Sequence, residues 1–257
     1  MGFLAALRFL TIIPLMGRRE VSPEEVGRSI VYFPLVGVII GLILVGLNWL
    51  LGLLLPSAVV NVLLVVSLVV ISGGLHLDGL VDTCDGIGGH KTVAERWRVM
   101  DDSRAGAFGI IGVCLLLLVK YVALNNVPDS RLMPTLLLMP VISRWAMVYA
   151  VFAYPYAKPS GLGKVFKQGA SWPRFVVATL ITLAVAVILA PLAGLVIMFG
   201  IWIIAMATAF YLKGKFGGLT GDTYGAINEV AEVLVLILIC LLAHVGWPGE
   251  NIFWGIK

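Results

Sequence analysis

Long apolar runs separated by short polar segments dominate the chain. Seven stretches read as membrane spans, at roughly 29–51, 57–77, 105–125, 132–153, 173–190, 192–212 and 226–246, since about 20 apolar residues cross the hydrocarbon as a helix. Barrel strands would be short and alternating, so these runs predict helices. Pro56, Pro128, Pro155, Pro159, Pro173, Pro191 and Pro248 fall at or between them, as helix breakers do. The predicted fold is therefore all-α: one membrane-embedded bundle over residues 1–257. The opening "MGFLAALRFLTIIPLMGRR" carries Arg8 inside its apolar stretch, then Pro14, and has no small-residue cleavage site. It reads as an interfacial amphipathic helix kept on the mature protein, not as a signal peptide.

Composition agrees with this pattern. Of 257 residues 60% are hydrophobic and 12% charged, where a soluble domain carries about 25% charged residues. Mean hydropathy is +1.04. The net charge of +4 gains meaning only from its placement. Arg8, Arg18, Arg19 and Arg28, then Lys91, Arg96, Arg98 and Arg104, then Lys158, Lys164, Lys167 and Arg174, and finally Lys213 and Lys215 all fall on one side of a seven-span bundle. The other side has Arg131 and Lys257. The asymmetry predicts a cytoplasmic N-terminus and an external C-terminus; the expected location is the cytoplasmic (inner) membrane, with the site facing the cytoplasm. Of the fourteen acidic residues, all but Asp129 and Glu250 share the basic side. Orientation does not require this, so carboxylates have work to do there. Cys84, Cys114 and Cys240 are scattered and form no CxxC pair, and Cys114 and Cys240, inside apolar runs, read as small packing residues. Nothing points to nucleic acid.

The densest carboxylate cluster is "GGLHLDGLVDTCDGIGG", Gly73 to Gly89, read as the cytoplasmic end of the second span. On one helix Asp78, Asp82 and Asp85 lie within roughly 60° of each other. Three such carboxylates repel or take up protons unless a cation offsets them, and all-oxygen donors favour magnesium or manganese. A zinc site from His76, Cys84 and His90 has no matching spacing. Two further segments share this side. In "MDDSRAGAFG" the residues Asp102, Ser103 and Arg104 precede a glycine-rich helix start, suited to an anion or to a plain helix cap. In "GGLTGDTYGAINEVAE" Asp222, Asn228, Glu229 and Glu232 reach the entrance of the last span, facing a bundle interior or a cavity. Arg144, inside "VISRWAMVYA", needs an anionic partner, either a protein carboxylate or a substrate phosphate. Gly37-x-x-x-Gly41 is a packing motif, within one bundle or between copies in a homo-oligomer. "SGLGK", Ser160 to Lys164, lacks phosphate-loop spacing and reads as a flexible basic loop.

Carboxylates with a few arginines and no nucleotide fold suggest metal-assisted phosphoryl transfer. D-G-x-x-D-x-x-D-G is similar to the aspartate motif of CDP-alcohol phosphotransferases, although the Ala-Arg pair and the downstream aspartates of that motif are missing. A cation-coupled transporter is the alternative from another class, disfavoured because no broken helices occur in matching halves. Taken together, "RFLTIIP", "GGLHLDGLVDTCDG", "DSRAGAFG", "SRWAM" and "GGLTGDTYGAINE" resemble the cobalamin synthase (adenosylcobinamide-GDP ribazoletransferase) family over nearly the whole chain.

The resemblance implies the last step of adenosylcobalamin assembly. A ribose hydroxyl of α-ribazole, or of its 5′-phosphate, attacks the cobinamide-linked phosphorus of adenosylcobinamide-GDP, and GMP leaves. Mg2+ is the implied cofactor. On this reading Asp78, Asp82 and Asp85 hold the metal, with Asp82 and Asp102 catalytic and Asp102 a metal ligand or the base. Arg104 and Arg144 neutralise the diphosphate, and Asp222, Asn228 and Glu229 close the site. His76 ranks below Asp102 as a base, and Asp101 reads as a solvated charge.

Overall fold

The computed structural model describes residues 2–14, 22–89 and 92–247. Arg18, Arg19, His90, Lys91, Pro248, Glu250 and Lys257 lie outside them. The regular elements among the described residues are all helices, joined by loops, with one isolated parallel bridge between Tyr156 and Leu219. Helix α1 (Gly2–Leu10) and the short α2 (Pro23–Arg28) lead through a 3-10 turn into α3 (Phe33–Gly52). Then follow α4 (Ser57–Ile71), α5 (Leu75–Ile87), α6 (Val93–Met100), α7 (Ala107–Asn125), α8 (Asp129–Ala153), α9 (Leu162–Gly169), α10 (Trp172–Leu189), α11 (Pro191–Phe216) and α12 (Gly221–His244).

Among the described residues six helices are long and apolar enough to cross a membrane, or seven if α4 and α5 count as one bent span. The outer faces carry exposed Leu42, Val66, Leu118, Leu180 and Phe199, the cladding a lipid-facing bundle needs. Inside, α8 and α12 form the core, with Leu138, Val141, Ile142, Val235 and Leu236 fully or almost fully buried. The Gly37-x-x-x-Gly41 pair serves contact within the bundle. A Cβ at Gly37 would sit 2.5 Å from the Pro140 carbonyl oxygen, and one at Gly41 2.8 Å from Leu137 Cα. The two glycines let α3 lie directly on α8. Cys114 is exposed, contrary to the expected packing role, while Cys84 and Cys240 are half-buried.

The second predicted span differs most from expectation. It does not run straight into the aspartates. Gly73 and Gly74 take φ of 63° and 71°, a left-handed region that glycine alone enters without strain. The chain turns by 87° there, and α5 begins as a separate helix. Ile12 N–H donates to the Ile71 carbonyl at 2.8 Å, which ties the segment after α1 to this elbow.

Candidate functional site

Helix α5 is held at its C-terminal end and along one side. At its C-terminus the buried Arg96 guanidinium of α6 donates to the Gly86 and Ile87 carbonyls at 2.7 and 2.9 Å, satisfying acceptors that a helix end leaves open. Along its side it meets the first turns of α12. A Cβ on Gly79 would stand 2.9 Å from Asp222 Cα, and one on Gly225 would stand 3.2 Å from His76 Cα. Both glycines are needed for this approach, which places Asp78 and Asp82 beside Asp222. The start of α12 is itself fixed by a reciprocal cap. Thr220 N–H donates to Thr223 Oγ1 at 2.7 Å, and Thr223 N–H donates to Thr220 Oγ1 at 3.2 Å. Thr220 Oγ1 also donates to Asp222 Oδ2 at 3.2 Å, orienting the carboxylate.

A cavity of about 690 Å³ opens at this seam. Its lining includes the acids Asp78, Asp101 and Asp222, and the buried His76. Phe9, Phe33 and Phe166, from three separate elements, line it as well. The segment from Tyr156 to Gly163, which includes most of the discounted "SGLGK", forms its rim. That segment is clamped to the start of α12, since Ala157 N–H donates to the Leu219 carbonyl at 2.8 Å and Leu219 N–H to the Pro155 carbonyl at 2.9 Å. Lys158 thereby bridges two acids, 2.8 Å from Asp101 and 3.7 Å from Asp222. Burial works to lower the Lys158 ammonium, but Asp101 and Asp222 overcome it and hold it above its ordinary value. Burial, reinforced by Asp222, pushes the Tyr156 phenol up. Lys158, Tyr156 and the three phenylalanines were missed from sequence. Asp101, taken for a solvated charge, is indeed exposed, and it also lines the cavity and pairs with Lys158.

The three aspartates of α5 do not act as one face. Asp78 opens on the cavity just described, and Asp82 lies within electrostatic reach of Asp222, Asp78 and Lys158. Asp85 is buried, and its Oδ2 and Oδ1 accept the Gly106 and Gly109 N–H groups at 2.7 and 2.8 Å. It caps α7 from across the chain, a role expected of Asp102 or Ser103. A second, more open hollow of about 770 Å³ runs past Asp85, Glu95, Arg98, Asp102 and Arg104. There Arg104 grips Asp102, 2.8 Å from Nη2 to Oδ2, and the hydrogen bonds from Arg104 hold the Asp102 carboxyl down at about 2.

Arg144 does not reach either space. It is fully buried and paired with the Glu232 carboxylate. So the protein carboxylate, not a substrate phosphate, is its partner in this structure. Lys120, unremarked in its apolar run, bridges Glu229 at 2.7 Å and Glu232 at 2.6 Å. Asn228 Nδ2 donates to Glu232 at 3.2 Å and lies 3.0 Å from His76 Nδ1. Asn228 and Glu229, expected at the substrate, belong to this buried network. Two cations face two carboxylates, which is how ionised groups are tolerated in a bundle core.

A description of the cobalamin-5-phosphate synthase family matches residues 2–240. The chain belongs to that family. An adenosylcobinamide-GDP ribazoletransferase of Roseiflexus sp. is 39% identical over 93% of this chain and 88% of its own length. One from Geotalea daltonii is 37% identical over 92% of the chain and 96% of its own, and one from Pseudomonas syringae 35% over 93% and 99%. No solved structure gives a significant match. Across the family match, the elements that build both cavities, from α1 to the first turns of α12, are all included.

Proposed function

We propose that the cavity between α5 and α12 is where this chain carries out the adenosylcobinamide-GDP ribazoletransferase reaction. The family and its relatives make the chain a transferase of the last step of cobalamin assembly. The observation that carries the location is the gathering of Asp78, Asp82 and Asp222 beside an aromatic-lined cavity that also holds Lys158, 3.7 Å from Asp222.

In the transfer, the ribose oxygen of α-ribazole or its 5′-phosphate bonds to the cobinamide-linked phosphorus. The bond from that phosphorus to the GMP oxygen breaks, and the hydroxyl proton passes to a base. Asp102 is ill suited to be that base, because a carboxyl held at about 2 binds a proton weakly at neutral pH. Asp82, beside Asp78 and Asp222, is the better proton acceptor by position. Lys158 neutralises charge at the rim, and Arg98 and Arg104 do so in the neighbouring hollow, where the bulky donor has room.

The donor set suits a hard divalent cation, being carboxylate oxygen only. It is not drawn into a finished cluster: among the described residues no three His, Cys, Asp or Glu side chains are placed to hold a metal ion. Asp78, Asp82 and Asp222 would hold magnesium, and Asp85, engaged with Gly106 and Gly109, would not lead. Magnesium there would offset charge on the diphosphate and the departing GMP. The basic residues at the cavity end support a site facing the cytoplasm from the inner membrane.

The test is GMP release by the detergent-purified protein from adenosylcobinamide-GDP and α-ribazole or its 5′-phosphate, with and without magnesium. Magnesium-dependent GMP and cobalamin formation, lost in Asp82→Asn, is the expected result. Full turnover in Asp82→Asn, or turnover indifferent to chelators, overturns the assignment of the acids.

A further inference from the structure

We infer that Phe9, Phe33 and Phe166 form the seat for the flat apolar base of the acceptor, with the acids of the same cavity receiving its ribose. This rests on the cavity being the transferase site. The three rings meet closely. Phe9 and Phe166 have centroids 4.5 Å apart, Phe33 and Phe166 5.2 Å in an edge-on pair, and Phe9 and Phe33 6.0 Å. They come from α1, the first residue of α3 and α9, so only the tertiary fold brings them together. All three line the same cavity as Asp78, Asp222 and Lys158.

Size and polarity decide which substrate part belongs there. Cavities of roughly 300–1,000 Å³ take drug-sized ligands, and about 690 Å³ is room for one nucleoside. A corrin ring carrying an adenosyl group and a nucleoside diphosphate is several times larger, and only its diphosphate end can reach in. Guanine presents a row of donors and acceptors that a wall of phenylalanine cannot pair, so burying it there is unfavourable. A benzimidazole base is flat and mostly apolar, and gains from ring contact. Its ribose hydroxyls then point to carboxylates, which accept hydrogen bonds. The wall thus sets the choice of base, while Asp78 and Asp222 set the position of the attacking hydroxyl.

The experiment measures KM for acceptor and donor separately in Phe166→Leu and Phe9→Leu, with Phe175→Leu from a separate ring stack as control. Acceptors are the α-ribosides of 5,6-dimethylbenzimidazole, benzimidazole and adenine. The expected result in either wall variant is an acceptor KM raised about tenfold for the dimethyl compound, the scale of one lost base–aromatic contact. The rise is smaller for the other two, and the donor KM stays within about twofold. An unchanged acceptor KM, or equal rises for donor and acceptor, overturns it. Fluorescence quenching of the dimethylbenzimidazole riboside on protein without donor supplies a second reading. If wild type binds the riboside and Phe166→Leu does not, the seat stands even where turnover fails. Turnover without any riboside binding that responds to these rings sinks the seat but leaves the transferase.

Discussion

The Asp85 carboxylate accepts the Gly109 N–H at 2.8 Å across two helices, and so closes the amino end of α7 with a side chain from α5. With its other oxygen on Gly106, both acceptors are spent on backbone amides at the positive end of a helix. Asp85→Asn keeps one carbonyl oxygen but turns an NH2 toward an N–H, so one amide is orphaned. We expect a loss of about 1–2 kcal/mol of stability, read as a lower thermal midpoint in detergent. Asp78→Asn, at an exposed cavity position, should abolish transfer while leaving that midpoint nearly unchanged. Equal midpoints for the two variants would contradict the division of α5 into capping and site-facing acids.

This division explains what the sequence could not convey. Spacing put Asp78, Asp82 and Asp85 on one helical face, and α5 is indeed a regular helix. Nothing in the spacing says that Gly106 and Gly109 lie beside its last turn. The spans were legible because every lipid-facing turn must be apolar. The 87° elbow was not, although "SGG" before "LHLD" was its one local sign: two adjacent glycines at a polar break. Arg144 was legible as a buried charge needing an anion. Choosing Glu232 over a substrate phosphate required the packing of α8 on α12. Phe9, Phe33 and Phe166 carried no signal at all, because a phenylalanine in an apolar chain reads as core until a cavity is found beside it.

Removing Lys120 should be costly. Lys120→Met leaves Glu229 and Glu232 buried, with Arg144 the remaining cation of this network among the described residues. Breaking one side of such a network costs about 3–5 kcal/mol. Combining it with Glu229→Gln restores the charge balance, and most of the loss in thermal midpoint should return. A double variant no more stable than Lys120→Met would show that the two side chains do not share this energy.

The acid limb of the pH–rate profile should owe nothing to Asp102. Its hydrogen bonds to Arg104 hold it near 2, below the ordinary carboxylate value of about 3.9. A depressed group stabilises the fold above the unfolded value, and that stabilisation fades as pH falls through about 2. It stays ionised across the working range. Asp102→Asn is therefore expected to leave the apparent acid-side midpoint of kcat/KM in place, even if it lowers the rate. A shift of that midpoint by half a unit or more in Asp102→Asn would return Asp102 to the role of base.

The sharpest test of the seam between α5 and α12 uses glycine. A Cβ at Gly79 would lie 2.7 Å from the Asp222 carbonyl oxygen and 2.9 Å from its Cα. Both are backbone atoms at the start of a helix fixed by the Thr220 cap. Nothing flexible can yield, so Gly79→Ala must push Asp222 away from Asp78 and Asp82. Overpacking of this kind costs about 1–3 kcal/mol, and loss of the carboxylate geometry should lower kcat by about a hundredfold, as small misplacements in a positioned site do. Gly214→Ala, near the end of α11 with nothing within 4 Å of the new methyl, has the opposite outlook. It gains helix propensity of roughly 0.5–1 kcal/mol and leaves kcat alone. If Gly79→Ala turns over at the wild-type rate, the carboxylates of α5 and α12 do not act together.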